Sequence, residues 1–482
     1  MNFTTFTFAV FFLVVLCLNW ALRERRGPYR FMLLAANMVF YASMSVRFLP
    51  LLIVVGFLNW AFSLAMSRTE SPGWKKAYIT LDVFLNLGLL AFFKYFEFFY
   101  SGLESGLIYL GVQISFPLIE IVFPVGISFF TFQGISYAVD VYRDPERVVK
   151  SPLDVLLFVS FFPTVLSGPI MRARNFIPQL DRTRFDQIDY HQGFALILSG
   201  LFKKIVIASY LSEHIVRQVF QVPDHFSAPA VLAGVYAYSI QIYCDFSGYT
   251  DLAMGIALLM GFSIPENFRS PYSAVNVQEF WHRWHISLST WLRDYLYISL
   301  GGNRKGEFRK YLNIMITMVL GGLWHGAHAR FLLWGALHGL GLVVTHLYKD
   351  IRTRWRGAAD TAGQQTGGAL NSLGAFVSWL LTFHFVSFLW VFFRAENAPR
   401  ALEIFQAVLQ WGRPGEGFEV LVIPAILAGL GMQFIGGYIK GGYMWVQNRL
   451  PLPLQALVIS VIVLVILRLG PDGVLPFIYF QF

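Results

Sequence analysis

Apolar runs of bilayer length recur along this sequence, and no other feature narrows its folding options as much. Residues 3–22, 31–46, 49–66, 77–99, 118–139, 228–260, 375–393, 421–439 and 452–469 each approach or exceed the length that crosses a hydrocarbon core as a helix. A chain in lipid must satisfy its own backbone N–H and C=O groups, which leaves helices and closed barrels. Strand-length alternation of apolar and polar residues is absent, which argues against a barrel. The expected fold is an all-α, multi-span integral membrane protein. Of the 482 residues, 56% are hydrophobic and only 13% charged, outside the range of a soluble domain. Shorter apolar stretches around 153–170, 191–211 and 311–346 carry Pro, Gly, Lys or His. They read as broken or partly inserted helices, tolerated where protein or water meets the freed backbone groups.

The net charge of +9 sits in short patches between the apolar runs, which is a topology signal and not a nucleic-acid surface. RERR (23–26), Arg68 with Lys75 and Lys76, YRDPERVVK (142–150), YKDIRTRWR (348–356), and Lys440 with Arg449 alternate as cytoplasmic loops do if the amino terminus is outside. Arg394, Arg400 and Arg413 fall on the outer side in this scheme, beside Glu396, Glu403 and Glu416. The last span then runs outward and leaves the tail FIYFQF extracytoplasmic. Cys17 and Cys244 offer neither zinc spacing nor a disulfide framework. No cleaved signal peptide is expected, because RERR follows the first apolar stretch instead of preceding it. No internal repeat is visible, which counts against inverted-repeat transporters. The small, polar stretch GAADTAGQQTGGALNS reads as a flexible cytoplasmic linker. The expected organisation is a membrane core over 1–356, the linker over 357–372, C-terminal membrane helices over 373–470 and an extracytoplasmic tail over 471–482.

The most informative stretch lies in the middle. Residues 264–311 form a strongly basic, Trp-rich region bounded by Pro271 and the Gly301–Gly302 turn, expected at the cytoplasmic face with its Trp rings at headgroup depth. An apolar run and the sequence WHGAH (324–328) follow. A helix from Lys310 would carry His325 roughly 22 Å along its axis, into the membrane. An ionisable group at that depth marks a polar cavity or a site; the competing reading is a packing histidine bonded to a neighbouring carbonyl. Gly321, Gly322, Gly326 and Ala327 bracket His325 and allow a backbone or a thin ligand to approach. His285, in WHRWHIS, is the second candidate, against the reading of an interfacial histidine facing headgroups. His282 with His285, and His325 with His328, stand three apart and are able to share a helix face. No Cys or paired carboxylate accompanies them, so a metal site is set aside. His338, His346 and His384 have no distinguishing context. No phosphate-binding Gly-rich loop or G-x-S-x-G nucleophile elbow is present, and HLYKD (346–350) lacks the spacing of the His-x4-Asp acyltransferases.

The segments PVGISFFTFQGISYAVDVYR, FFPTVLSGPIMR, QIYCDFSGYTDLAMG, NFRSPYSAVNVQEFWHRWHISLSTWLRDYLYISLGGNR and GGLWHGAHARFLLWGALHG together resemble the membrane-bound O-acyltransferase superfamily. The likeness is strongest to its bacterial branch, that of the alginate O-acetyltransferase membrane subunit. It implies a ring of helices around a thinned centre, with a funnel from each side. It also implies a catalytic His325 in LWHGA and a second active-site position at His285 in WHISLS. The tail is similar to the C-terminal hydrophobic tyrosine motif of that branch, which makes Tyr479 the expected acyl relay; the competing reading is an interfacial aromatic anchor.

The resemblance points to acetyl-CoA as donor substrate, with no tightly bound cofactor and no metal. Arg283, Arg293, Arg304 and Lys305 suit the donor's phosphates, and equally suit anionic lipid headgroups. The expected partners are an extracytoplasmic serine-esterase-type acyltransferase and an exported polysaccharide. A tyrosine hydroxyl, with a pKa of about 10, gives its proton to a histidine of about 6.5 only as the new bond forms, so general-base catalysis is expected. The readings that compete are a lipid or protein O-acyltransferase with no use for Tyr479, a polysaccharide or lipid-linked sugar transporter, and a membrane scaffold. The enzymatic reading requires that His325 be reachable by a thioester from the cytosol and by a hydroxyl from the opposite compartment.

Overall fold

A computed structural model describes residues 1–112, 122–181, 185–356 and 369–470. Its elements are almost all helices, and among the described residues β-structure is limited to two isolated bridges. Seven helical segments there are long and apolar enough to cross a membrane. The chain divides into two compact units, residues 1–197 with 249–265 and residues 198–248 with 266–482.

The first unit opens with α1 (Phe6–Leu22), α2 (Arg26–Ser45), α3 (Leu49–Arg68) and α4 (Pro72–Tyr109). Next come α5 (Ile127–Arg143) and the short α6 (Pro152–Ser160). Buried amides join these elements where apolar contact alone would leave backbone unsatisfied. After α6 stops, the free N–H of Phe162 donates to Asn37 Oδ1 (3.0 Å), while Asn37 Nδ2 donates to Ser160 Oγ (3.2 Å). Asn19 Nδ2 and Trp20 Nε1, at the end of α1, donate to the carbonyls of Met260 (3.2 Å) and Leu259 (3.1 Å). At the polar rim, Arg30 pairs with both Asp154 (2.7 Å) and Asp181 (3.0 Å).

The run 118–139 does not form one helix. Residues 113–121 lie outside the described residues, and α5 starts only at Ile127, after Gly126 at φ 80°. A Cβ at Gly126 would stand 2.4 Å from the Val165 carbonyl oxygen, so the turn there requires glycine.

Next come the long α7 (Tyr190–Gln221) and α8 (Ala228–Leu259), then the short α9 (Val277–Arg283) and α10 (Ile286–Trp291), which continues as a wider helical turn over Leu292–Tyr297. They are followed by α11 (Glu307–His325), α12 (Ala329–Arg356), α13 (Ala369–Arg394), α14 (Ala398–Leu409), α15 (Val422–Gln447) and α16 (Leu452–Leu469). The expected break within 311–346 falls between His325 and Ala329, where Gly326 is extended. In 191–211 the helix is not broken; α7 runs through with wide turns over Phe202–Ala208 and Ser212–Val216. α13 begins at Ala369, so residues 369–372 of the expected linker are helical. Residues 357–368, and the tail 471–482 with Tyr479, lie outside the described residues.

α11 and α12 form the tightest hairpin of the second unit. Gly322 faces the Phe331 carbonyl and Gly335, and Gly335 faces the Met318 carbonyl, so close that a Cβ at either position would come within 2.4 Å of backbone oxygen. Two backbones approach this closely only through glycine. Arg330 fastens the start of α12 to the end of α13 by donating to the carbonyls of Phe393 (2.8 Å) and Ala395 (2.5 Å).

Candidate active site

His325 is the last residue of α11 and is 6% exposed. Its ring lies among aromatic rings, with centroids 5.0 Å from Trp324, 5.2 Å from Trp334 and 5.0 Å from Phe393. It is not sealed there. A cavity of about 580 Å³ has His325 and Trp334 among its lining residues, with Thr317, Met318 and Gly321 along α11, and also reaches His282, Arg293 and His346. The Arg293 side chain is 61% exposed, so the cavity joins an exposed guanidinium to the buried imidazole. From Ile314 to His325 along α11 is roughly 16 Å. The lining therefore follows α11 for about three turns as far as His325.

His285 occupies a different kind of place. The backbone turns left-handed there, at φ 43°, one of two such non-glycine residues among those described. For an L-residue this conformation costs on the order of 1–3 kcal/mol and persists only where its surroundings enforce it. Here the enforcing group is Asn267, itself fully buried. Its carbonyl accepts from Ile286 N–H (3.0 Å), and its side-chain Oδ1 lies 3.1 Å from Ser287 N, 2.9 Å from Ser287 Oγ and 3.1 Å from His285 Nδ1. A bridge between Phe268 and Trp284 and the Arg269 N–H to Arg283 carbonyl bond (2.9 Å) align the two segments. The His285 ring is 1% exposed, meets Phe246 edge-on at 4.7 Å, and lies 6.1 Å from Trp324, which also contacts His325. Burial pushes His285 down to about 3, so the ring is neutral at physiological pH.

The helix end at His285 separates residues that a continuous helix would align. His282 is exposed on α9 while His285 is buried at the start of α10. His325 and His328 are likewise split by the end of α11. Trp284 (1% exposed) and Trp291 (6%) are packed inside the protein, where Trp284 stacks on Phe280 and meets Trp390 at 4.8 Å.

Of the four cationic candidates, only Arg293 lines the cavity; it also pairs with Asp294 (2.8 Å). Arg283 is engaged by Glu279 (2.6 Å) and Ser273 Oγ (2.9 Å). Arg304 and Lys305 are exposed in the turn before α11. Two histidines gain a context that their sequence surroundings did not give. His346 lines the cavity together with His282, and His338 is fully buried, its Nδ1 accepting from Trp281 Nε1 (3.3 Å) with its ring 4.7 Å from Trp334. Gly335 and Gly339 flank His338 as small residues flank His325, and that repetition was the available signal.

A helical, multi-span membrane protein with a deep cavity ending on a buried histidine is the class these features define. The model of the MBOAT, membrane-bound O-acyltransferase family, matches residues 144–388. This chain belongs to that family and is an O-acyltransferase. It is similar to the probable alginate O-acetylase AlgI of Pseudomonas putida, 34% identical over 483 residues covering 94% of each chain. The probable alginate O-acetylase AlgI of Pseudomonas aeruginosa is 38% identical over 385 residues, 79% of this chain and 70% of that one. The peptidoglycan O-acetyltransferase of Helicobacter pylori is 35% identical over 404 residues, 78% of this chain and 73% of that one.

Proposed function

We propose that this protein is an O-acetyltransferase of the bacterial inner membrane that moves acetyl groups from cytoplasmic acetyl-CoA to an exported polysaccharide. The observation that carries the reading is the cavity, whose lining runs from Arg293 to His325. In this scheme Arg293 meets the phosphates of the donor and the thioester arm extends to His325. A hydroxyl oxygen attacks the thioester carbonyl carbon while the imidazole of His325 takes the hydroxyl proton. The C–S bond then breaks, and the coenzyme A thiolate leaves and is protonated. Holding donor and hydroxyl at one imidazole supplies the positional part of the rate.

The attacking hydroxyl is that of Tyr479 on an extracytoplasmic tail. The acetyl-tyrosine then delivers its acetyl group to a serine-esterase-type partner, which esterifies the polymer. The likeness to acetylases of alginate and peptidoglycan supports a polysaccharide as final acceptor. The test is mass spectrometry of the C-terminal peptide after membranes are incubated with labelled acetyl-CoA. Label on Tyr479 is expected; label on a lipid or on no chain residue while the polymer is acetylated overturns the relay.

A further inference from the structure

The duty of His285 is fixed by the side chain that holds it. Ser287 N–H is a backbone donor and cannot accept, so the Asn267 side-chain atom 3.1 Å away must be the amide oxygen. That oxygen has no proton to give, and its contact with His285 Nδ1 therefore requires the histidine to donate. The neutral ring then carries its proton on Nδ1 and a lone pair on Nε2. Nε2 is fully buried and has no hydrogen-bond partner among the described residues.

We propose that Asn267 is a positioning residue that locks His285 in the Nδ1–H tautomer, so that Nε2 serves acyl transfer as a hydrogen-bond acceptor and not as the donor that polarises the thioester carbonyl. The functional part rests on the acyl-transfer reading above. Among the described residues, Phe246 of α8, Trp324 of α11 and Asn267 meet the ring, and none of these is charged. Burial keeps the ring neutral, so the missing proton is not restored by ordinary titration. His285 is not among the residues that line the cavity; in the Nδ1–H tautomer its Nε2 has no proton to offer a group that reaches it, and oxyanion stabilisation falls to other donors.

The test combines spectroscopy with kinetics on the full-length protein in lipid. Histidine is labelled with 15N, and the His285 signals are assigned by their loss in His285→Gln. A protonated Nδ1 and a pyridine-type Nε2 are expected in the native protein, and the reverse pattern overturns the tautomer assignment. Asn267→Leu removes the acceptor and is expected to lose the signature and lower kcat on the order of 10²–10⁴-fold, with the donor KM within a few-fold of native. Asn267→Asp keeps an acceptor and is expected to retain the tautomer and much of the activity. Its carboxylate favours the imidazolium, so the acid limb of the kcat profile moves to higher pH. An Asp variant as inactive as the Leu variant, or an unmoved acid limb, overturns the positioning role. Native protein that transfers no acetyl group would refute the functional reading, and the 15N pattern would still decide the role of Asn267.

Discussion

Replacing Gly322 by alanine tests whether the α11–α12 hairpin sets the place of His325. The new Cβ would lie 2.3 Å from the Phe331 carbonyl oxygen and 3.1 Å from Gly335 Cα, against ordinary contact from 3.4 Å. Neither neighbour is a side chain able to swing away, so the two helices must separate by about 1 Å. Overpacking of this kind costs about 1–3 kcal/mol, and a displacement of about 1 Å at a reacting group costs about 10²-fold in rate. His325 is one turn beyond Gly322 and moves with it. Gly431→Ala, on α15, is the control, because its Cβ would meet nothing within 4 Å and it is not part of the cavity lining. Both variants are purified in detergent, their thermal midpoints compared, and acetyl transfer from labelled acetyl-CoA measured in membranes. Gly322→Ala is expected to lower the midpoint and reduce transfer about 100-fold, with Gly431→Ala near native. Equal behaviour of the two variants would refute the geometric reasoning.

His325→Ala is expected to lower acetyl transfer on the order of 10²–10⁴-fold, the usual worth of a general base, with membrane insertion intact by protease accessibility. Tyr479→Phe and deletion of the terminal FIYFQF are expected to abolish polymer acetylation alike, measured as ester content of the exported glycan; full acetylation by either reduces the tail to an anchor. Stability carries a pH signature of His285. Its folded value, about 3, lies below the roughly 6.5 of an unfolded chain. The unfolded state therefore binds the extra proton between those values, and stability present above pH 6.5 is lost as pH falls toward 3. Thermal midpoints are expected to fall less steeply over that window in His285→Gln than in the native protein.

The long elements were legible because the bilayer demands them. The runs 228–260 and 452–469 became α8 and α16 almost residue for residue, since neither contains a conformation that only glycine tolerates. The run 118–139 misled because hydropathy is blind to φ, and Gly126 supports a left-handed turn inside it. His325 was marked by its small neighbours, and the structure adds the cavity that reaches it. His285 follows His282 at a spacing that lets both lie on one helix face. Its reversal depends on Asn267, 18 positions earlier, and no local pattern carries that information. His338 and His346 enter the site's surroundings only after α11 and α12 fold against each other.

The bond from Asn19 to the Met260 carbonyl spans 241 residues of sequence. At about 5–20 residues per second of synthesis, roughly 12–50 s pass between the ribosome making the first group and making the second. During that interval a side chain destined for full burial has no native acceptor, and an unsatisfied amide is costly in hydrocarbon. The nascent first helix must therefore be held by insertion machinery, or at the lipid–water boundary, until α8 emerges. Translation speed and the supply of insertase thus become conditions for correct assembly.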